Sequence, residues 1–210
     1  MSFDVDKFVA ACRAERHQAD APERIAALLR EAVANPTAIA TAIQRRRAAS
    51  PSASMADIFF SDEALTIYHL AFPSNVYSVP HDHAGWAVIG VYSGIEAFNV
   101  YQECDGRLEK TGRRILNAPS VEILAPDLIH DIDNPSGTVS GSIHVYSNRH
   151  FDIPDRRIWR DGEDQPEAFT LQRSFEYGME RTARRRRELG LSGASGRLAP
   201  DVEALRKRSD

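Results

Sequence analysis

Residues 86–101 read WAVIGVYSGIEAFNVY, two β-rich runs separated by the turn residues Ser93-Gly94. β-Branched and aromatic side chains are enriched in strands, and a short turn between two such runs is typical of a hairpin. The pattern continues from about Ile58 to Trp159, where glycine, proline, asparagine and aspartate separate short β-rich runs. Many short strands with such turns predict a mainly β fold, a sandwich or a barrel. The further predicted strands are Leu65–Phe72, Val121–Leu124, Val139–Tyr146 and a short strand around His130, between Pro126 and Asn134.

The segments on either side of this β region are predicted to be helical. Residues 3 to about 48 carry apolar side chains at helical spacing, and Asp20-Ala21-Pro22-Glu23 places proline in the first turn of a helix. The chain becomes polar after about Pro166, with a helix predicted from Phe175 to Leu189. We therefore predict one domain in three parts. These are an N-terminal helical region at 1–50 packed on the barrel, a β-barrel at 55–165, and a C-terminal helix with a polar tail at 166–210.

The composition argues against several classes of protein. The chain has 210 residues, of which 42% are hydrophobic and 27% charged, as is ordinary for a globular protein. Its net charge of −4 gives no general attraction to nucleic acid. No apolar run approaches the roughly 20 residues that cross a bilayer. With only Cys12 and Cys104, neither a disulfide framework nor a cysteine zinc cluster is expected. We expect a cytoplasmic protein without nucleic-acid or membrane partners, and its oligomeric state stays open.

Two closely spaced histidines are the first candidate metal ligands. Side chains alternate along a strand, so His81 and His83 of Pro80-His81-Asp82-His83 project from one face. Two imidazoles there could hold one metal ion, or could merely share a strand face. His130 follows several strands later, where a barrel can bring back a third ligand. We predict that the three histidines bind one metal ion, and imidazole suits Zn, Cu, Fe and Ni alike.

A second polar pattern lies in Ser142-Ile143-His144-Val145-Tyr146. A period of two places Ser142, His144 and Tyr146 on one face and the two apolar residues on the other. In the simplest interpretation the polar face meets solvent and the apolar face meets the core. In the alternative, the polar face lines a pocket and its three side chains form a hydrogen-bonded relay that ends at Tyr146. The nearby histidines favour the relay.

These motifs together resemble the cupin superfamily. His81-x-His83, the later Gly94, and His130-x-x-x-Asn134 match the two motifs of that superfamily. The glutamate that follows its first motif is absent here. The resemblance implies a double-stranded β-helix, a jelly-roll-like barrel, with three neutral histidine ligands and no carboxylate ligand.

Within the cupins, the chain is similar to cysteine dioxygenase and its bacterial relatives such as 3-mercaptopropionate dioxygenase. That group combines HDH, no glutamate, a third histidine and a Ser-x-His-x-Tyr strand, as this chain does over about residues 60–160. The resemblance implies a non-haem Fe(II) thiol dioxygenase. Its substrates would be O2 and a small carboxylate-bearing thiol, 3-mercaptopropionate rather than cysteine, and its product a sulfinic acid. The alternative is a metal-binding cupin without this activity: a small-molecule sensor or another metal-dependent enzyme. A third option is a partner-binding protein whose barrel is only a scaffold.

A substrate carboxylate calls for a cationic anchor. Mammalian-type cysteine dioxygenases carry an arginine upstream of HDH, but no Lys or Arg lies between Ala48 and Pro80 here. The bacterial enzymes carry an arginine shortly after the Ser-x-His-x-Tyr strand, where this chain has Arg149, Arg156 and Arg157. Each of these could equally be an ordinary surface arginine. Arg156 and Arg157 are adjacent, so only one can face a pocket from a strand, and we predict that it is Arg157.

Three other histidines and a basic run receive no functional role. His69 lies on an alternating strand and is predicted to be half-buried and hydrogen-bonded, whereas His17 and His150 are predicted at the surface. The arginines at 184–187 are predicted to form a solvated helix face.

Overall fold

A computed structural model describes residues 2–49 and 55–191, so the predicted polar tail beyond 191 lies outside the described residues. Three helices come first, ten strands follow, and one helix ends the described chain. The helices are α1 (Val5–Glu15), α2 (Ala21–Val33), α3 (Pro36–Ala49) and α4 (Leu171–Glu188). The strands are β1 (Ala56–Asp62), β2 (Leu65–Phe72), β3 (Ala87–Ser93), β4 (Ile95–Cys104), β5 (Arg107–Asn117), β6 (Ser120–Leu124), β7 (Ile129–Asp133), β8 (Ser140–Tyr146), β9 (Arg157–Ile158) and β10 (Glu167–Ala168).

The strands form two antiparallel sheets. The first has the order β1-β2-β8-β3-β6, and the second contains β5-β4-β7. Residues 77–81 extend the second sheet, because His81 forms an antiparallel bridge with His130 of β7 on one side and with Ile158 of β9 on the other. β9 then pairs with β10. This architecture, with helices before and after it, confirms the predicted cupin-like barrel.

The first sheet buries side chains on both faces. On one face, Ile143 and Val145 of β8 join Ile25 and Leu29 of α2 in a single apolar cluster. Gly90 of β3 allows α2 to approach closely, since a Cβ there would lie 3.0 Å from the Leu29 Cδ2 atom. The opposite face of the first sheet lines the barrel interior. The helices therefore cover the apolar face of β8 and leave its polar face to the barrel interior.

Local sequence explains the helix boundaries. Pro22 lies in the first turn of α2, and its buried stripe repeats with a spacing of four at Ile25, Leu29 and Val33. Burying each such side chain contributes about 1.5–3 kcal/mol. α4 begins earlier than predicted because the Thr170 side chain caps it by accepting a hydrogen bond from the Arg173 amide at 3.0 Å. Within the described part of the chain, no helix is long and apolar enough to cross a membrane.

β1 and β5 were not predicted as strands. β5, RLEKTGRRILN, is mostly exposed and lacks the apolar alternation that marks a half-buried strand. Its conformation comes from pairing with β4 along its whole length, from Ile95 opposite Asn117 to Cys104 opposite Arg107. An edge strand of this kind is defined by its neighbour and not by its own side chains.

Candidate metal centre

The structure brings His81, His83 and His130 together. One ligand nitrogen from each lies within 4.8 Å of the other two, and the Nε2 atoms of His83 and His130 are 3.0 Å apart. A two-way backbone bridge aligns the first and third histidines, since the amide of each donates to the carbonyl of the other at 2.9 and 3.0 Å. His83 lies in the following loop, where the Asn148 side chain donates to its carbonyl oxygen at 3.0 Å.

The three imidazoles are in the protonation state that a metal requires. Burial, with the charge of Arg156, lowers the pKa of His81 to about 4. Burial also lowers the pKa values of His83 and His130 well below the usual 6.5, and the neighbouring imidazoles lower them further. Neutral imidazole is the form that binds metal ions. The His81 Nδ1 atom lies 3.0 Å from the Val79 carbonyl, so it carries the proton and leaves Nε2 as the ligand atom.

The spacing also fits a metal ion. At metal–nitrogen distances of about 2.1 Å, two nitrogens bound at right angles lie about 3.0 Å from each other. The Nε2 pair of His83 and His130 has this separation. The Nδ1 atoms of the same two rings have no hydrogen-bond partner among the described residues. The cluster can therefore hold one divalent ion through three neutral nitrogens, without a carboxylate.

The polar face of β8 forms a continuous series of hydrogen bonds. The Ser142 hydroxyl lies 2.8 Å from His144 Nε2, and His144 Nδ1 lies 2.9 Å from the Tyr146 hydroxyl. All three side chains are buried, which excludes the solvent-facing interpretation. The Tyr146 ring meets the His83 ring edge-to-face, with centroids 5.0 Å apart. The series therefore ends beside the histidine cluster.

Two further side chains, which the sequence patterns do not indicate, surround Tyr146. The Tyr68 hydroxyl lies 3.0 Å from the Tyr146 hydroxyl, and the Tyr68 ring stacks on His144. The prediction that His150 lies at the surface is wrong, because its ring is buried and stacks on Tyr146 with centroids 3.5 Å apart. Its amide donates to the Thr66 hydroxyl at 3.0 Å, which folds the loop after β8 back over the barrel. The spacing of residues in the sequence does not predict that this loop folds back over the barrel.

Arg156, and not Arg157, faces the histidines. Its side chain is 1% exposed, its Nε donates to the Asp82 carbonyl at 3.0 Å, and its Nη1 donates to the His150 carbonyl at 2.6 Å. Nη2 has no partner among the described residues. Burial lowers the pKa of Arg156 to about 10, so the group stays charged near neutral pH, and its charge lowers the pKa of His81. The site thus contains a buried cation with a free donor.

The other two arginine candidates are bound to carboxylates on the outside. Arg157 pairs through Nε with Asp82 at 2.8 Å and through Nη1 with Glu103 at 2.7 Å, and Arg149 pairs with Glu63 at 2.5 Å. The two adjacent arginines point to opposite sides, as alternation along a strand predicts, but Arg156 and not the predicted Arg157 points inward. The Asp82 side chain also accepts a hydrogen bond from the Arg157 amide at 2.7 Å. This contact directs the Arg157 side chain outward and the Arg156 side chain inward.

Three solved structures that are similar to this chain each match slightly less than half of it. One match is a Cupin 2 conserved barrel domain protein from Salinispora arenicola, with 16% identity, a TM-score of 0.37 and coverage of 44% of this chain and 74% of that chain. Another is an RmlC-like cupin family protein with a double-stranded β-helix fold from Methanocaldococcus jannaschii, with 10% identity, a TM-score of 0.39 and coverage of 48% and 84%. The DMSP lyase DddQ from Ruegeria pomeroyi matches with 12% identity, a TM-score of 0.38 and coverage of 47% and 48%, so the match spans about half of that chain.

No protein-family model matches the chain, and no curated protein sequence matches it significantly. The fold assignment therefore rests on this chain's own strand order, and the candidate site rests on its own side chains. On those grounds the chain is a cupin-like barrel with a candidate three-histidine metal site.

Proposed function

We propose that this protein is a non-haem Fe(II) thiol dioxygenase that converts a small carboxylate-bearing thiol and O2 into a sulfinic acid. One observation carries the proposal. The relay of Ser142, His144 and Tyr146 ends against His83, beside a cluster of neutral histidines. This combination supports the resemblance to the thiol dioxygenases, which also lack a carboxylate ligand.

The histidines would hold the ion from one side. Three protein ligands leave the remaining coordination positions to substrates, as catalytic sites require and closed structural sites do not. An Fe(II) ion held by His81, His83 and His130 would favour the thiolate form of the substrate and supply the redox chemistry that O2 requires.

Arg156 would anchor the substrate carboxylate. Its guanidinium is buried and charged, and its Nε and Nη1 already donate to backbone carbonyls, which leaves Nη2 free to donate to a substrate carboxylate. A charge-assisted bond between a guanidinium and a carboxylate is worth about 1.5–3 kcal/mol. Because the Asp82 carboxylate is bound to Arg157, it is not free to pair with an ammonium group on the substrate. This arrangement favours 3-mercaptopropionate over cysteine.

Tyr146 would act through hydrogen bonds as a neutral phenol and not as a base. Burial raises the pKa of its phenol well above 10, and the adjacent Tyr68 raises it further. The hydroxyl therefore keeps its proton at neutral pH. The relay behind it orients this hydroxyl, and the stacked His150 ring limits the movement of the phenol.

The test is oxygen consumption by the chain loaded with Fe(II), with 3-mercaptopropionate, cysteine, cysteamine and 2-mercaptoethanol as substrates. Cysteamine and 2-mercaptoethanol lack the carboxylate, so they control for the proposed anchor. We expect uptake with 3-mercaptopropionate above all, and a sulfinic acid that contains two atoms of isotopic oxygen when the gas is labelled.

The Zn(II)-loaded chain controls for redox chemistry and should consume no oxygen. A chain that binds Fe(II) stoichiometrically but oxidises none of the four thiols would refute the proposal and leave a metal-binding cupin without this activity.

A further inference from the structure

Glu96 of β4 is a buried carboxyl group at the far end of the relay. Its side chain is 0% exposed, and its Oε1 atom lies 3.4 Å from the Ser140 hydroxyl. The Ser142 hydroxyl, 2.8 Å from His144 Nε2, is the second hydroxyl that lowers the pKa of this carboxyl group. Its Oε2 atom lies 3.9 Å from His144 Nε2 and has no hydrogen-bond partner among the described residues. A buried carboxyl oxygen without a partner is costly in a folded protein and calls for an explanation.

Glu96 has no cationic partner to hold it ionised. Among the described residues, no arginine or lysine pairs with it, and its neighbour across β5, Leu116, is apolar. The titratable groups that act on it or feel its charge are His144 and Tyr146 on β8 and Tyr68 on β2. Burial raises the pKa of Glu96 to about 7, against the smaller opposing effect of the two serine hydroxyls.

We propose that Glu96 is a positioning residue whose protonation state sets the tautomer of His144 and, through it, the direction in which the Tyr146 hydroxyl donates. The proposal follows from the hydrogen-bonding capacity of each group in the series. A carboxylate only accepts, a hydroxyl donates once, and a neutral imidazole donates from one nitrogen while it accepts at the other.

When Glu96 is ionised, every donor in the series points toward it. The Ser142 hydroxyl donates to the carboxylate, so its oxygen must accept from His144. His144 then carries its proton on Nε2 and accepts at Nδ1 from the Tyr146 hydroxyl. In this state the Tyr146 oxygen can only accept hydrogen bonds from the side of the histidine cluster.

When Glu96 is protonated, the series reverses. The carboxylic acid donates to Ser142, the Ser142 hydroxyl donates to His144 Nε2, and His144 Nδ1–H donates to the Tyr146 oxygen. The Tyr146 hydroxyl is then free to donate outward, to Tyr68 or into the site. The two states differ by one proton, which enters at Tyr146 and reaches Glu96 by one transfer along each hydrogen bond. No group in the series changes its net charge except Glu96.

The inference rests on the proposed function only in placing substrate beside Tyr146, and its test needs no turnover. The full-length chain, labelled with ¹⁵N at histidine and loaded with diamagnetic Zn(II), is titrated from about pH 5.5 to about pH 8.5 while NMR reports the ring nitrogens of His144. We expect Nδ1–H at low pH and Nε2–H at high pH, with a midpoint near the Glu96 pKa of about 7. The tautomer ratio should change about tenfold per pH unit.

Glu96→Gln is the decisive variant, because the amide keeps the size and donates to Ser142 at every pH. His144 should then stay in the Nδ1–H form throughout the titration. Ser140→Ala is the matched control, since it removes the other hydroxyl on Glu96 but leaves the relay intact, and the switch should persist. Ser142→Ala should abolish the switch, and it replaces Glu96→Gln if that variant does not fold.

A merely structural Glu96 would leave the tautomer unaffected by pH. One His144 tautomer across the whole range in the wild type would overturn the proposal, as would a switch that survives in Glu96→Gln. Failure of thiol oxidation would refute the proposed function and leave this result untouched.

Discussion

The Nε2 atoms of His83 and His130 lie 3.0 Å apart, although 47 residues separate them in the chain. The backbone bridge between His81 and His130 closes this distance, because it pairs residues 77–81 with β7. Two neutral imidazoles at this separation can share either a proton or a metal ion. The nearby ring of His81 supplies a third ligand nitrogen and so favours the metal ion.

Replacing one of the three histidines should abolish metal binding. In His130→Gln, we expect the affinity for Fe(II) or Zn(II) to fall by more than about 100-fold, since changes to residues behind the ligands alone cost about 10- to 100-fold. Metal content per chain and calorimetric titration measure this loss. His69→Gln is the control, because His69 is another buried histidine but is bonded to Asp57 and Tyr92, away from the cluster. Full metal content in His130→Gln would contradict the site.

The Tyr146 hydroxyl should matter for turnover but not for metal binding. Tyr146→Phe removes the group that His144 orients, and we expect kcat to fall about 100-fold with unchanged metal content. Tyr68→Phe removes an equivalent hydroxyl one hydrogen bond farther from His144, so its effect should be no more than about threefold. Parallel oxygen-uptake and metal assays distinguish these outcomes. Equal losses in the two variants would show that the relay does not act through Tyr146.

Arg156 should control recognition of the carboxylate. We expect Arg156→Gln to raise KM for 3-mercaptopropionate by about 10- to 100-fold, and to leave KM for 2-mercaptoethanol nearly unchanged. Arg157→Gln, which breaks only the outward pairs with Asp82 and Glu103, should change neither value by more than about threefold. A larger effect at Arg157 would restore the assignment made from the sequence.

The change in KM caused by Arg156→Gln must also be distinguished from an effect of the substitution on folding. Arg156 holds the carbonyls of Asp82 and His150, so Arg156→Lys, which keeps the charge, serves as a second variant. Partial recovery of KM in Arg156→Lys would assign the effect to charge.

The metal-free protein should lose stability on acidification. Burial lowers the pKa of His144 to about 3 and those of the cluster histidines below 6.5. From about pH 6.5 down to the folded-state values, the unfolded chain therefore binds more protons, and the free energy of unfolding falls as pH falls. Each such histidine contributes at most about 1.4 kcal/mol per pH unit. Glu96, with a pKa raised from 4.5 to about 7, acts in the opposite direction but is a single group.

Urea unfolding at about pH 7 and about pH 5 measures this dependence, and we expect a loss of at least about 2 kcal/mol. His144→Gln removes one of the titrating groups, so its pH dependence should be shallower. Stability that rises on acidification would mean that the histidines are not held neutral.

The local patterns of the sequence predicted β8 and the series on its polar face. Alternation along a strand is a backbone property, so Ser142, His144 and Tyr146 share a face whatever surrounds them. The same alternation could not decide which face is buried from solvent. That depended on α2, which packs over Ile143 and Val145 and leaves the polar face to the interior.

Local patterns in the chain predict the β-rich region, the flanking helices and the candidate histidine ligands, because each pattern depends on neighbours within a few residues. Long-range packing determines which arginine faces inward, places His150 against Tyr146, and brings Glu96 to the relay. These contacts join β4, β8 and the loop after β8. Packing between segments that are distant in the chain produces no periodic pattern of residues in the sequence. The local pattern thus identifies the candidate ligands, whereas long-range pairing brings them and the groups around them together.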